Sequence, residues 1–538
     1  MLRSLMKKWR YLQAYGQAQR ETDGEQAPER PPELVKDLSR NLMSVRQILG
    51  RSNDVKIHEF RFGRDGEHDG ALVFIDGLVD GEAITQGILR PLMSYRPAGE
   101  RGAAELLQEI EHAVLLNAEV EEKEELGDLI SGCMSGNTLL LIHGTAKGLL
   151  VSTKGWEKRG VTEPMTEAVI RGPREGFTEN LRTNTALLRR KIKNPSLRLE
   201  HIIVGRKTLT DVCLLYLKGV ADPKVIEEVK SRLNGLSVDS ILDAGYIEQY
   251  MEDAPFSVFA TVGYTEKPDV AAAKILEGRI AIVTDGSPFV LTVPMLFIEN
   301  FQTAEDYYIR PFFASMARLL RYVAYFIAIF ATPIYISLTT FHQEMIPTTL
   351  LLTVAKAREG TPFPAFLEAV IMVFSFEILR EGGLRLPRPV GQAVSIVGAL
   401  IMGDASVSAG LVGAPLVIAV ALTAVSGFLV PGQNETISIL RLISMVLAAV
   451  LGGYGIAMVF LGVLMHLASL KSFGVPYFEG FPPSRDMQDA VIRLPLWMMV
   501  KRPKDIAQRD TTRRQFFIPP KDSGAEDAKK PEGAGKKR

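Results

Sequence analysis

From Leu319 to Leu470 the chain reads as a membrane block, and its apolar stretches carry charges that a simple anchor avoids. The stretch 319–341, LLRYVAYFIAIFATPIYISLTTF, reaches the roughly 20 apolar residues a crossing helix needs. Further apolar stretches follow at 363–379, 390–430 and 437–470. Within or beside them sit Glu368, Glu377, Asp404, Glu435, Arg441 and His466. A charge at membrane depth costs about 2.5–3.5 kcal/mol on insertion scales and usually faces a bundle interior or a water path. The block therefore points to passage or signalling across a membrane.

The chain has 538 residues, enough for two or three domains. Lys+Arg and Asp+Glu are equal at 62 each, which argues against nucleic acid, because phosphate binding wants a basic excess. The two cysteines, Cys133 and Cys213, read as buried small side chains in a reducing compartment, with a disulfide as the lesser alternative. The seven histidines form no HExxH or paired CxxC pattern, so no metal site is expected. The start, MLRSLMKKWRYLQAY, is basic but lacks the apolar core of a secretory signal. It reads as a frayed basic helix or a helix lying on a membrane surface through Leu2, Leu5, Met6, Trp9 and Leu12.

The expected fold is an α/β soluble N-terminal region of two subdomains followed by an α-helical membrane domain. The divisions are a basic start and flexible spacer at 1–34, a first α/β subdomain at 35–160 and a second at 161–311. A helical membrane domain at 312–472, a cytoplasmic C-terminal segment at 473–518 and a disordered tail at 519–538 complete the chain. VKIHEFRF, ALVFIDGLV, NTLLLIHGT, GLLVST, LRLEHIIVG, DVCLLYLKGV and RIAIVTDG read as strands. Helical patterns occupy 82–93, 103–117, DPKVIEEVKSRLNGL and VDSILDAGYIEQYM. Thr162 is expected to cap a short helix, EPMTEAVI, and Thr178 a second, ENLRTNTALLRRKI. Asp285-Gly286 marks a tight hairpin. Glu305, Asp306, Tyr307 and Tyr308, just before Arg310, Arg318 and Arg321, suit a collar at a membrane interface.

Basic residues at 310–321, 380–388 and 471–502 place the soluble region and the C-terminal segment on the cytoplasmic side, which requires an even number of crossings. The reading is four full crossings plus one or two half-helices, with six short crossings as the alternative. Breaks are expected around 403–410 with Pro415, and at Gly452-Gly453 and Gly455. Ala448, Ala449, Gly452 and Gly453 allow close helix approach. Glu368 and Glu377 lie about 180° apart around one helix. Glu377, one turn before Arg380, reads as a helix-end ion pair. Glu368 has no local basic partner and is the candidate for a water-facing role. Asp404 reads as a helix cap or an ion-path residue, and His466 as a satisfied interface histidine. Glu435 and Arg441 read as lying near a helix boundary. Pro333 frees the carbonyl of Ile329 and favours a fixed bend, with Thr332 and Ser337 available to restore bonds.

Catalytic templates find no match in the soluble region. ISGCMSGNT lacks GxSxG in register, and GRKT lacks the upstream glycine and GK pair of a phosphate loop. Glu163, Glu167 and Glu175 sit among Arg159, Arg171 and Arg174 and read as solvated ion pairs. No enzyme activity, catalytic residue or cofactor is expected.

The ordered blocks IDGLVDGEAITQGILRPLM, EPMTEAVIRGPREGFTENLRTN, EGRIAIVTDGSPFVLTVP, HQEMIPTTLLLTVAKAREGTPFPAFLEAVIMVFSFEILREGGLRLP and SFGVPYFEGFPPSRDMQDAVIRLPLWM span about 70–505. In them the chain resembles the A-subunit family of spore germinant receptors, the GerA type. The resemblance implies a multi-pass protein of the inner spore membrane that works with a multi-spanning B subunit and a lipoprotein C subunit. It further implies a homo-oligomer, a pentamer, forming a nutrient-gated cation channel whose opening starts germination. Some paralogues accompany the dipicolinic-acid release system instead. Glu368, Asp404, Glu377 and Pro333 are the candidate ion-path or gating residues. A secondary transporter would show internal repeats with paired broken helices, and none is visible in the membrane block. A membrane-tethered enzyme would need a site the soluble region lacks.

Overall fold

The computed structural model describes residues 33–506 apart from 51, 64–65, 97–101, 117–118, 156–162, 165, 386–397, 399–401, 479–488, 500–501 and 504–505. The basic start, nearly all of the spacer and the C-terminal tail lie outside the described residues.

The N-terminal half contains two five-stranded antiparallel sheets. The first comprises β1 (Val55–Phe62), β2 (His68–Ile75), β3 (Val120–Lys123), β4 (Asn137–Ile142) and β5 (Gly148–Ser152), in the order β1-β2-β4-β5-β3. α1 (Leu38–Leu49) and α2 (Leu126–Met134) cover one face. Helical runs at 81–94 and 103–114 cover the other. Alternation along β4 explains the sandwich: Leu139 and Leu141 enter the first core while Leu140 and Ile142 enter the second. Each such buried side chain contributes about 1.5–3 kcal/mol.

The second sheet comprises β6 (Leu197–Val204), β7 (Thr210–Leu217), β8 (Gly263–Thr265), β9 (Ile280–Thr284) and β10 (Val290–Val293). Numbered from its own first strand, its order is again 1-2-4-5-3. α3 (Leu181–Lys191) and α6 (Pro268–Leu276) cover one face; α4 (Pro223–Gly235) and α5 (Ala244–Met251) cover the other.

The two units are one design used twice. Gly77 and Gly219 turn the chain after β2 and β7 with φ of 88° and 93°, and Gly144 and Gly286 turn the β4–β5 and β9–β10 hairpins with φ of 90° and 84°. Both pairs stand 142 positions apart, 77 to 219 and 144 to 286. Asp80 and Asp222 then cap the next helices through their carboxylates. In α1, Asn41 exchanges two hydrogen bonds with the backbone of Val35, at 2.9 and 2.6 Å. In α3, Asn184 does the same with Thr178, at 2.8 and 2.5 Å.

Helix expectations in this half change at three places, and the pattern VDSILDAGYIEQYM is helical only from Ala244, with Asp243 as its cap. The cap of α3 is Asn180, whose side chain accepts from Thr183 N, and Thr178 is drawn into the Asn184 ring. Thr162 lies outside the described residues, and 163–164 and 166–170 form no helix. They are held as a strap, with Thr166 N donating to Glu266 Oε2 and Glu167 accepting from Thr265 and Glu266.

The C-terminal half is helical: α7 (Pro311–Thr340), α8 (Thr348–Arg358), α9 (Ala365–Arg385), α10 (Ala414–Gly427), α11 (Asn434–Leu451) and α12 (Gly453–Ser469). Residues 402–408 are also helical. Among the described residues, Pro311–Thr340 and Pro431–Leu451 are long and apolar enough to cross a membrane by length and composition, and Ala414–Gly427 and Gly453–Ser469 are shorter apolar helices. The expected break falls at Gly452, with φ of 59°, between α11 and α12. The α/β region followed by apolar helices is the fold class read from the sequence.

Candidate functional site

One end of the helical half meets the second α/β unit. Asp306, in a short 3-10 turn before α7, is fully buried and accepts from Arg318 Nε and Arg321 Nη1, each at 2.8 Å. Arg318 is itself fully buried and also donates to Asp489 Oδ1 at 2.8 Å. Tyr307 donates to the other oxygen of Asp489 at 2.7 Å. Burial alone would raise the Asp306 carboxyl, but the hydrogen bonds from Arg321 and Arg318 hold it below the usual carboxylate range. Asp306, Tyr307, Arg318 and Arg321 of the expected collar thus form an ionic knot joining the soluble half, α7 and the C-terminal segment, while Tyr308 donates instead to Asp269.

The exit of the last helix is fastened as well. A hairpin of β11 (Lys471–Ser472) and β12 (Val475–Pro476) follows α12, and its turn pushes Phe473 into the core of the second unit. Phe473 adopts φ of 49°, a left-handed conformation unusual for a bulky residue. Its N–H donates to Asp253 Oδ2 at 2.5 Å. The Ser472 hydroxyl donates to the Thr261 carbonyl at 2.7 Å and accepts from Met295 N at 2.9 Å. Nearby, Ser257 and His466 share a 2.9 Å hydrogen bond, and Thr436 donates to the Val258 carbonyl at 2.5 Å.

At the opposite end lies Glu368, fully buried in the first turn of α9. Its Oε1 accepts from Arg358 Nη2 at 3.3 Å and Thr361 Oγ1 at 3.1 Å, and Oε2 accepts from Gly413 N at 3.2 Å. Gly413 is the N-cap of α10 and has no capping side chain of its own, so Glu368 answers the free N–H and positive dipole of a neighbouring helix. The expectation that Glu368 lacks a local basic partner is overturned. The turn between α8 and α9 folds Arg358 back across ten positions, a distance that helix periodicity does not register.

Glu377 pairs with Arg380 at 2.5 Å, as its spacing predicts, and also with Arg441 at 3.3 Å. Arg441 sits deep within α11, buried, and donates to the Ala328 carbonyl of α7 at 2.9 Å. The reading of Arg441 as a boundary residue therefore fails, since Glu377 and Ala328 satisfy it inside the bundle. Asp404 is exposed and follows helical residues 398 and 402–403, so it does not cap a helix start. Pro333 is buried inside the uninterrupted α7. Thr332 bonds Thr423 of α10 at 2.9 Å instead of restoring the freed carbonyl. The 391–404 segment is described only in part.

The α/β half contributes two adjoining cavities along α3, of about 310 and 290 Å3. Asp76, Asn180, Arg182 and Arg190 line the first, and Glu175, Arg190 and Lys193 line the second. Beside them the two units are locked by Arg189 and Asp54, both buried, whose bidentate bonds measure 2.9 and 3.0 Å. The solvated reading of the nearby glutamates holds for Glu163, 3.8 Å from Arg174. It fails for Glu167, whose carboxyl is pushed up by burial and bonded to Thr265 and the Glu266 N–H. Cys133 and Cys213 are buried free thiols.

The family model described as "Bacillus/Clostridium GerA spore germination protein" matches residues 43–505. The chain is 44% identical over 494 residues to spore germination protein KA of Bacillus subtilis (strain 168), covering 91% of this chain and 90% of that one. It is 37% identical to spore germination protein B1 of the same organism, covering 90% of this chain and all of that one. The crystal structure of the N-terminal domain of the A subunit of the Bacillus megaterium spore germinant receptor GerK3 is 38% identical. That match covers 49% of this chain and 98% of that one, with a TM-score of 0.39.

Proposed function

Because the chain belongs to the GerA family of spore germination proteins, whose model spans residues 43–505, we propose that it is the A subunit of a nutrient-responsive germination receptor whose helical halves assemble around a gated cation path. Its partners in this reading are a multi-spanning B subunit, a lipoprotein C subunit and further copies of itself, five in all, in the inner spore membrane. The soluble units at 35–160 and 161–311 and the C-terminal segment then face the cytoplasm, with the membrane domain at 312–472 between them.

The observation that carries the reading is the double fastening of the second α/β unit to the helices. Asp306 binds the start of α7, and Phe473 anchors the exit of α12. A displacement in the soluble half is thereby delivered to two ends of the bundle at once. Within the bundle, Glu368 and Glu377 are charges that the helices enclose and neutralise, and Glu368 acts as a latch tying α9 to α8 and α10. Glu377, Asp404 and Pro333 complete the candidate gating set.

Spores carrying Glu368→Gln as the sole copy test this. A released latch raises cation leak in the absence of nutrient while assembly is retained. Lowered nutrient-triggered flux with a tight resting state would make Glu368 a lining residue instead, and unchanged flux in both states would remove it from the path.

A further inference from the structure

The duplication of the soluble half leaves one joint made and its counterpart open. In the made joint, α3 leads the second unit and seats against the turn that ends β2 of the first. A Cβ at Gly77 would stand 3.4 Å from the Ala186 methyl and 3.2 Å from Arg182 Cδ, and Arg182 pairs with Asp76 at 3.3 Å. Ala186 is buried there, within the core of the first unit.

Both halves of the equivalent joint exist elsewhere in the same chain, and among the described residues neither is filled. Gly219 is the counterpart of Gly77, and a Cβ placed on it meets no described residue within 4 Å. Lys218 beside it, the counterpart of Asp76, is exposed. α1 is the counterpart of α3. Superposing Asn41 on Asn184 places Met43 where Ala186 stands and Asp37 where Asn180 stands. Met43 is 70% exposed, in contrast to the buried Ala186. Asn180 and Asp76 line one cavity, so the copied joint would set the acid Asp37 against the base Lys218. Asp37, which caps α1 and stands 3.8 Å from Arg40, and Lys218 put opposite charges on the two open halves.

The geometry points to a head-to-tail joint between copies of this chain, in which the Asp37–Met43 face of α1 on one copy seats on the Lys218–Gly219 turn of the next. Such an interface uses different patches on its two sides, so it generates a ring or an open filament instead of a closed two-fold pair. Here the proposal rests on the membrane-receptor reading. With every helical half held in one bilayer, the relating axis stands along the membrane normal and the series closes.

Met43→Cys and Lys218→Cys test it in the full chain reconstituted in lipid nanodiscs, where the native thiols Cys133 and Cys213 are buried. Both positions are exposed, so the variants keep the fold. Mild oxidation of the double variant should give a covalent ladder ending at one ring size. A mixture of the two single variants should give heterodimers only. Mass photometry of the uncrosslinked protein separates the failures. An oligomer without Met43–Lys218 crosslinks overturns this joint and leaves the receptor reading standing. A monomer removes both. A dimer from Met43→Cys alone would put a two-fold contact in its place.

Discussion

Arg232 of α4 lays its guanidinium carbon 4.4 Å from the ring centroid of Phe473, so the turn of the hairpin that follows α12 is clamped by the soluble unit. Arg232 also bonds Asp253, which accepts from the Phe473 N–H. Acid, base and ring thus form a socket, and a cation over an aromatic face adds about 0.5–2 kcal/mol to the burial itself.

Phe473→Ala empties that socket. Truncating a buried aromatic costs about 3–5 kcal/mol, and the loss should fall on the second unit and the exit of α12 together. Hydrogen exchange of the full chain should show faster exchange at 471–477 and in α4, with the first unit unchanged. Protection at 471–477 equal to the wild type would mean the hairpin is held without its ring.

Asp306→Asn removes the partner of two arginines, one of them fully buried. Breaking a buried pair on one side costs about 3–5 kcal/mol because a charge is left uncompensated. The thermal midpoint of the solubilised chain should fall, and Asp306→Asn with Arg318→Met should recover part of the loss. Additive losses in the double variant would show that the two residues are not coupled.

Glu248 of α5 responds to pH in the range where the protein is handled. Burial first, and then the charges of Glu252, Glu435 and Asp243, raise its carboxyl from 4.5 to about 7. A raised acid binds its proton more tightly when folded, so its contribution is full below about pH 4.5 and is lost as pH rises through 7. The difference in thermal midpoint between pH 5 and pH 8 should therefore shrink in Glu248→Gln. By contrast Glu299, between Lys274 and Arg279, is lowered to about 2: burial opposes the shift and the two cations outweigh it. Its contribution is full above pH 4.5 and is lost only as pH falls toward 2, so Glu299→Gln should leave the pH 5 to 8 difference unchanged.

Cys133 is buried, and burial raises its thiol to about 12; burial raises that of Cys213 as well. Maleimide at neutral pH should label neither in the folded chain within minutes and both in denaturant. Rapid labelling of Cys213 in native protein would signal opening of the second sheet.

Much of the architecture was legible along the chain because strand and helix periods report burial on one face. β9 and β10 around Asp285-Gly286, and the break at Gly452, follow from local turn chemistry. The Glu377–Arg380 pair follows from helical spacing. Asn184 leaves no mark in the hydrophobic period, although its side-chain ring with Thr178 displaces the expected cap. The duplication is faint in the sequence. FIDGLVD (74–80) and YLKGVAD (216–222) align at the same offset as the turn glycines, and that match was the available signal. Few other positions are shared, because a core accepts any apolar residue of suitable volume.

Composition and period alone determined that this chain has a soluble α/β half and an apolar helical half with charges inside it, because both are statements about which solvent each face meets. Which charge answers which was decided only by tertiary structure. Glu368 finds Arg358 and Gly413, Glu377 finds Arg441, Asp306 finds Arg318, and Phe473 finds a socket opened more than 200 positions earlier. Pairing depends on how helices and hairpins return past one another, and hydropathy carries no record of that path.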